Sequence, residues 1–147
     1  MEFSESSTKA QKAYIESVSR NYENVAYFDV HSYSQLFMYP YGYGRKKPTN
    51  YKLLDEIAST CVAAIESVHG TEFTSGQMFQ TIYPASGTTT DYFYDSGIPC
   101  AFSVELRDLG EYGFLLPADQ IKPVAEEMAA AYAIVMHAVV DGQCAME

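Results

Sequence analysis

A layered α/β fold, with helices on both sides of a mixed and mostly parallel sheet, is the class the sequence predicts, and three observations predict it. Two apolar runs, Val25–Val30 and Cys100–Leu106, read as strands covered on both faces. Two longer stretches, one from Thr49 or Asn50 to Val68 and one ending at Val139, carry apolar residues at helical spacing. Helices and buried strands alternate along the chain, with no internal repeat, low-complexity tract or linker between them. At 147 residues there is room for one domain or part of one, and hardly for two.

Taken in order, Ser4, Ser6 and Ser7 offer N-caps for a weakly amphipathic helix from Thr8 to Arg20, with Ala10, Tyr14 and Val18, or Tyr14, Val18 and Tyr22, on one side. The first strand follows and ends at His31; alternation of side chains puts Asp29 and His31 on the same side. Gln35–Tyr39 reads as a second short strand, and Tyr39-Pro40-Tyr41-Gly42-Tyr43-Gly44 as a loop with much aromatic surface. In the next helix Leu54, Ile57, Cys61, Ile65 and Val68 form the apolar stripe, and Gly70 terminates it. Met78–Tyr83 looks strand-like, and the Pro84–Thr90 loop caps a short helical turn near Asp91–Asp95. In the Cys100–Leu106 strand Ser103 and Glu105 face one way. The last helix starts at Pro117 or Asp119, tolerates Pro123 in its first turns, and packs through Val124, Met128, Ala131, Val135 and Val139.

Composition narrows the function. Hydrophobic residues at 48% and charged residues at 19% argue for a folded chain, and 13 Tyr with 8 Phe supply aromatic packing. A formal net charge of -10 disfavours nucleic acid and anionic membrane as partners, because phosphate binding needs clustered Lys and Arg. The basic run Arg45-Lys46-Lys47 reads as a solvated loop. Cys61, Cys100 and Cys144 are odd in number and lack CxxC spacing, so neither a zinc knuckle nor a disulfide framework is indicated. Cys61 and Cys100 read as small core residues and Cys144 as part of a frayed tail. Met1-Glu2-Phe3-Ser4-Glu5 lacks the basic and apolar regions of a signal peptide, and no apolar run approaches the ~18 residues of a membrane span, so neither an export signal nor a span is expected.

The chemistry gathers at two strand ends. Phe28-Asp29-Val30-His31-Ser32-Tyr33-Ser34-Gln35 and Phe102-Ser103-Val104-Glu105-Leu106-Arg107-Asp108 are apolar runs that stop on an ionisable residue and turn polar. Ligands collect at the carboxyl ends of strands in open α/β sheets, and imidazole beside carboxylate suits metal binding and proton transfer. From the residues alone, a hydrogen-bonded histidine at a strand end is the favoured reading of His31 over a ligand, and Glu105 is equally a structural partner of Arg107. His69-Gly70-Thr71-Glu72 has the form His-x-x-Glu but follows a helix end, so it is not read as a metal motif.

Four segments go further. His31-Ser32-Tyr33-Ser34-Gln35-Leu36, Tyr39-Pro40-Tyr41-Gly42-Tyr43, Thr81-Ile82-Tyr83-Pro84-Ala85-Ser86-Gly87, and Glu105-Leu106-Arg107-Asp108 with the following Gly110-x-Tyr112-Gly113-Phe114-Leu115-Leu116-Pro117-Ala118 resemble the second half of the zinc metallocarboxypeptidases of the A/B type. The resemblance runs from about Ser4 to Val140 and makes residues 1–147 a single partial domain, the C-terminal half of the catalytic fold. It implies that His31 is one zinc ligand and that Glu105 is the catalytic carboxylate. Tyr83 matches the mobile tyrosine that closes on the substrate's terminal carboxylate, and Ser32, Tyr33 and Phe114 match residues of the neighbouring subsites. Met78, Ile82, Ala85, Thr90 and Ser103 match the lining of the pocket for the C-terminal side chain. Thr90 stands where basic-specific members carry an acid, which implies a neutral substrate side chain. Cis peptide bonds are implied at Ser32-Tyr33, Pro40-Tyr41 and Arg107-Asp108.

The family's other two zinc ligands and its substrate-binding arginines lie upstream of the matched region, so His31 is one of three expected protein ligands. The resemblance therefore implies a peptidase acting on peptide or protein C-termini in its complete form, with this chain alone inactive and a complementary N-terminal half as its partner. The alternative is a non-catalytic module that binds peptides or inhibitors. Members of the family are often secreted, which implies an extracellular setting.

Overall fold

A computed structural model describes residues 4–20 and 26–144. Tyr22 and Val25 lie outside the described residues. Among these residues four strands form one sheet: β1 (Ala26–Ser32), β2 (Leu36–Tyr39), β3 (Thr74–Gln77) and β4 (Cys100–Leu106), in the order β1-β4-β2-β3. β1 runs parallel to β4 and β3 parallel to β2, while β2 and β4 are antiparallel, so the sheet is mixed with mostly parallel pairing, as predicted. Five helices accompany it: α1 (Ser6–Ser19), α2 (Tyr51–His69), the single turn α3 (Met78–Thr81), α4 (Thr89–Asp95) and α5 (Ile121–Val140).

The core lies between the sheet and the pair α2 and α5. Phe37, Phe102 and Val104 from the strands meet Leu54, Ala58, Cys61 and Ile65 of α2 and Met128, Ala131 and Val135 of α5, all buried. Gly70 closes α2 at φ 74°, a conformation that costs glycine little, and its N–H donates to the Glu66 carbonyl. Asn50 holds the other end by tertiary bonds instead of a side-chain cap: its amide donates to the Pro99 carbonyl and its oxygen accepts from the Tyr94 hydroxyl. Together with its preceding 3-10 turn, α5 has the length the sequence predicts and is, among the described residues, the one helix long and apolar enough to cross a membrane, although no apolar run of that kind is expected from the sequence. Its apolar stripe is turned into the core against α2, while Ile121, Met136 and Val140 are exposed.

Several expectations are corrected. β1 is an edge strand with a neighbour on one side only, so it is half-buried to exposed along its length, and Val30 is 43% exposed instead of covered. On α1, Ala10 and Tyr14 face outward. Thr8, Lys12, Ile15, Ser17 and Val18 are the partly buried positions, with Lys12 over the Tyr92 ring and Gln11 donating to the Tyr27 hydroxyl. No serine side chain caps α1; Glu5 occupies the N-cap position. The strand expected at Met78–Tyr83 lies earlier, at β3, and Met78 begins a helical turn in which Thr81 donates to the Gln77 carbonyl. In α5 Ala138 is buried, while Val124 and Val139 are partly so.

The cysteines differ most. Cys100 and Cys144 form a disulfide across a sequence separation of 44, and Cys144 is buried. Asp141, Gly142 and Gln143 donate their N–H groups back to the last turn of α5, which folds the chain onto the start of β4. Spacing along the chain holds no record of that approach. Cys61 is free in the core, its thiol on the Ala131 carbonyl and pushed by burial up to about 12.

Candidate active site

β1 and β4 bring the two strand ends into register, with His31 opposite Glu105 and Asp29 opposite Ser103. Because both strands run the same way, their carboxyl ends open on one side of the sheet. Glu105 Oε2 is buried with no hydrogen-bond partner. Burial raises the Glu105 carboxyl above the usual glutamate range; His31 pulls it down and Asp29 pushes it up.

Arg107 is not Glu105's partner. Its guanidinium donates to Glu127 Oε2 at 2.8 Å, Gln120 Oε1 at 2.6 Å and Thr71 Oγ1 at 2.7 Å, and also contacts Glu127 Oε1. Glu127 is 1% exposed on the inner face of α5, so the arginine compensates a buried carboxylate there. Glu105 is thereby left outside that network. On the other strand, His31 Nε2 lies 2.9 Å from Asp29 Oδ1, and Asp29 Oδ2 accepts the Thr89 hydroxyl.

A cleft of about 460 Å³ opens beside this group. Met78, Ile82, Tyr83, Ala85 and Ser103 line it together with His31 and Glu105. Met78 and Ser103 are buried in its wall, whereas Tyr83 is 61% exposed at its edge. Thr90 is not among the lining residues; it is wholly buried on α4 and its hydroxyl has no partner. The lining includes Asp29, Thr89, Met38 and Gln11, which the sequence reading did not assign. For Asp29 the signal was present in the strand alternation that puts it on the side of His31.

The backbone around the cleft is fixed by buried carboxylates. Asp91 accepts the N–H groups of Gly42 and Tyr43, which ties the aromatic loop to α4, and burial raises its carboxyl. A Cβ at Gly42 would sit 2.6 Å from Met78 Sδ and 3.0 Å from the Ala85 carbonyl oxygen, so a side chain there would displace the methionine that lines the cleft.

Ser32, Tyr33 and Phe114 stand beside the cleft instead of in its lining. Tyr33 meets the Phe114 ring edge-on with centroids 5.1 Å apart, and Phe114 is otherwise exposed. Asp108 holds the loop that carries Phe114 by accepting from the N–H groups of Gly110, Tyr112 and Gly113, which lowers its carboxyl below the usual range. Peptide bonds Ser32-Tyr33, Pro40-Tyr41 and Arg107-Asp108 are cis, as the resemblance implied.

Among the described residues there is no group of three or more His, Cys, Asp and Glu able to hold a metal. The His31 imidazole has the right chemistry for one zinc ligand, but a catalytic zinc takes three protein ligands and an open position. The described residues therefore fit one corner of such a centre and not the whole. His69 does not extend it: its Nε2 lies 2.8 Å from Glu126 Oε2, and that contact lowers the Glu126 carboxyl.

Known proteins match this arrangement. A family model described as zinc carboxypeptidase matches residues 1–131. Carboxypeptidase A1 of Sus scrofa is 53% identical over 102 residues, which cover 69% of this chain and 24% of that protein. Carboxypeptidase B of Bos taurus is 45% identical over 122 residues, 82% of this chain and 29% of that protein. The solved structure of bovine thrombin-activatable fibrinolysis inhibitor in complex with tick carboxypeptidase inhibitor superposes with a TM-score of 0.90 at 35% identity, covering 95% of this chain and 47% of that one. The chain thus spans about a quarter of the length of these curated relatives.

Proposed function

The chain belongs to the zinc carboxypeptidase family, and we propose that it carries the general base and the side-chain pocket of a peptidase that removes C-terminal residues from peptides. The observation that carries this reading is the pairing of His31 with Glu105 across β1 and β4, at the mouth of a cleft lined by Met78, Ile82, Tyr83, Ala85 and Ser103. Glu105 lines the cleft and its buried Oε2 has no protein hydrogen-bond partner, so the carboxylate is uncommitted where a water and the scissile amide would meet it. In its ionised form it takes a proton from the attacking water, and it then returns that proton to the leaving amine nitrogen. The cleft receives the C-terminal side chain, with Thr90 behind its wall; Tyr83 closes over the terminal carboxylate, and Ser32, Tyr33 and Phe114 meet the residues preceding it.

His31 serves as one ligand of a zinc whose remaining donors come from outside the described residues, in a complementary N-terminal half. When bound, zinc supplies Lewis acidity at the scissile carbonyl. The single donor found among the described residues favours a second reading for this chain by itself, a non-catalytic module that binds peptides or inhibitors.

One experiment separates the two. The chain is purified alone and as the product of its full upstream reading frame, and zinc content and release of a C-terminal amino acid are measured for both. Stoichiometric zinc and turnover in the longer product alone are expected. Absence of turnover in both sinks the peptidase reading.

A further inference from the structure

The cleft carries a charge that Thr90 does not reveal. Thr90, from which a neutral substrate side chain is expected, is wholly buried on α4 and outside the lining, whereas the Asp29 carboxylate is in the lining. Asp29 stands two residues before His31 on the same side of β1, about 6–7 Å further from the strand's carboxyl end, and is in register with Ser103, which is buried in the cleft wall. Its Oδ2 accepts the hydroxyl of Thr89, the first residue of α4, which holds the carboxylate in place, and its Oδ1 lies 2.9 Å from His31 Nε2. A carboxylate offers about four lone-pair sites, so acceptor positions remain on both oxygens. The side chain is 23% exposed, and partial removal from water makes a charge pair there stronger than one on the open surface.

The remaining lining suits a long side chain that ends in a cation. Met38, Met78, Ile82 and Ala85 offer apolar wall to a methylene stem. Among the described residues, the ionisable groups of the lining are Asp29, Glu105, His31 and Tyr83, and no Lys or Arg balances the two carboxylates. Glu105 sits level with His31 at the strand ends, and Asp29 lies one step deeper, where the end of a long side chain arrives. We propose that Asp29 is the specificity determinant of the cleft and that the C-terminal residue it receives is Lys or Arg, whose ammonium or guanidinium donates to Asp29 while the stem packs on the apolar wall. The proposal rests on the reading of the cleft as the seat of the C-terminal side chain and names the substrate class, against the neutral side chain expected from Thr90. A formal net charge of -10 favours the approach of such cationic peptide ends.

Binding is read first, without metal or turnover. The chain is titrated with n-propylguanidinium, the side chain of arginine, and with n-propylurea, its neutral isostere, while NMR follows the backbone amides of Asp29, Thr89 and Ser103. The guanidinium is expected to bind about tenfold tighter or more, the scale of a hydrogen bond to a charged group, and Asp29→Asn to bind the two probes alike. Glu105→Gln is expected to keep the preference. Should Asp29→Asn not fold, Asp29→Ser replaces it, with the same expected loss. Equal binding of the two probes by the wild type, no shift with either, a preference that survives in the folded Asp29 variant, or one lost equally in Glu105→Gln overturns the proposal. In the product of the full upstream reading frame, arginine should be released from a peptide end about tenfold or more faster, in kcat/KM, than citrulline from the same peptide, and Asp29→Asn should abolish that ratio. Turnover that favours citrulline overturns the proposal and leaves the peptidase reading standing. Absence of all turnover sinks the peptidase reading, and the binding result then decides the role of Asp29.

Discussion

Glu105 owes its usefulness to a local disadvantage. Its oxygen is buried without a partner, and the raised carboxyl means that the folded state binds its proton more tightly than the unfolded state does. Stability contributed by this group is therefore present at low pH and is lost as pH rises from the ordinary glutamate pKa through the raised folded value. Glu105→Gln removes the titration, so its melting temperature should exceed that of the wild type at pH 7, with the difference shrinking toward pH 4; thermal unfolding at both pH values measures it. In the full-length protein the same substitution should lower turnover by about 10²–10⁴, the usual contribution of a general base. Arg107 is the opposite case. It neutralises Glu127 inside the fold, and Arg107→Ala leaves that buried carboxylate without a cation and with only the Thr71 hydroxyl as donor, at an expected cost of about 3–5 kcal/mol in chemical denaturation.

At the scale of elements, two joints decide how the site is framed. The disulfide from Cys100 to Cys144 fastens the chain beyond α5 to the start of β4. Cys144→Ser should therefore lower stability by about 2–4 kcal/mol, and addition of reductant should destabilise the wild type but leave the variant unmoved. The loop after β4 turns on Gly113 at φ 59°, where a Cβ would sit 3.2 Å from the Tyr33 ring. Gly113→Ala combines a left-handed backbone with that contact, and about 1–3 kcal/mol of destabilisation is expected from the backbone alone. Neither joint was readable beforehand. An odd count of cysteines without a motif permits any pairing or none, and Gly113 was only a member of a motif until Tyr33 was seen against it.

The whole molecule presents an unpaired strand edge and apolar side chains to solvent. Among the described residues β1 has a partner on one side only, and Val30, Leu109, Phe114, Leu115 and Ile121 are exposed by 43% to 85%. Such surface promotes pairing between chains. Sedimentation velocity of the isolated chain should show association that grows with concentration, and Leu115→Lys combined with Val30→Lys should reduce it. A strictly monomeric wild type at all concentrations would remove this expectation.

By itself the sequence determined the long-lived features: the class of fold, α2 and α5 from their apolar spacing and Gly70, the two strands that end on His31 and Glu105, and the motifs around them. These are written in local order, because helical and strand periods depend on neighbours a few residues apart. Only the tertiary structure decided which groups meet across distance. It gave Arg107 to Glu127 and freed Glu105, closed Cys100 on Cys144, turned Thr90 out of the cleft lining, and set Thr89 behind Asp29. Each of those outcomes depends on the relative placement of elements 20 or more residues apart, where burial and hydrogen bonding select among partners that the chain order leaves equivalent.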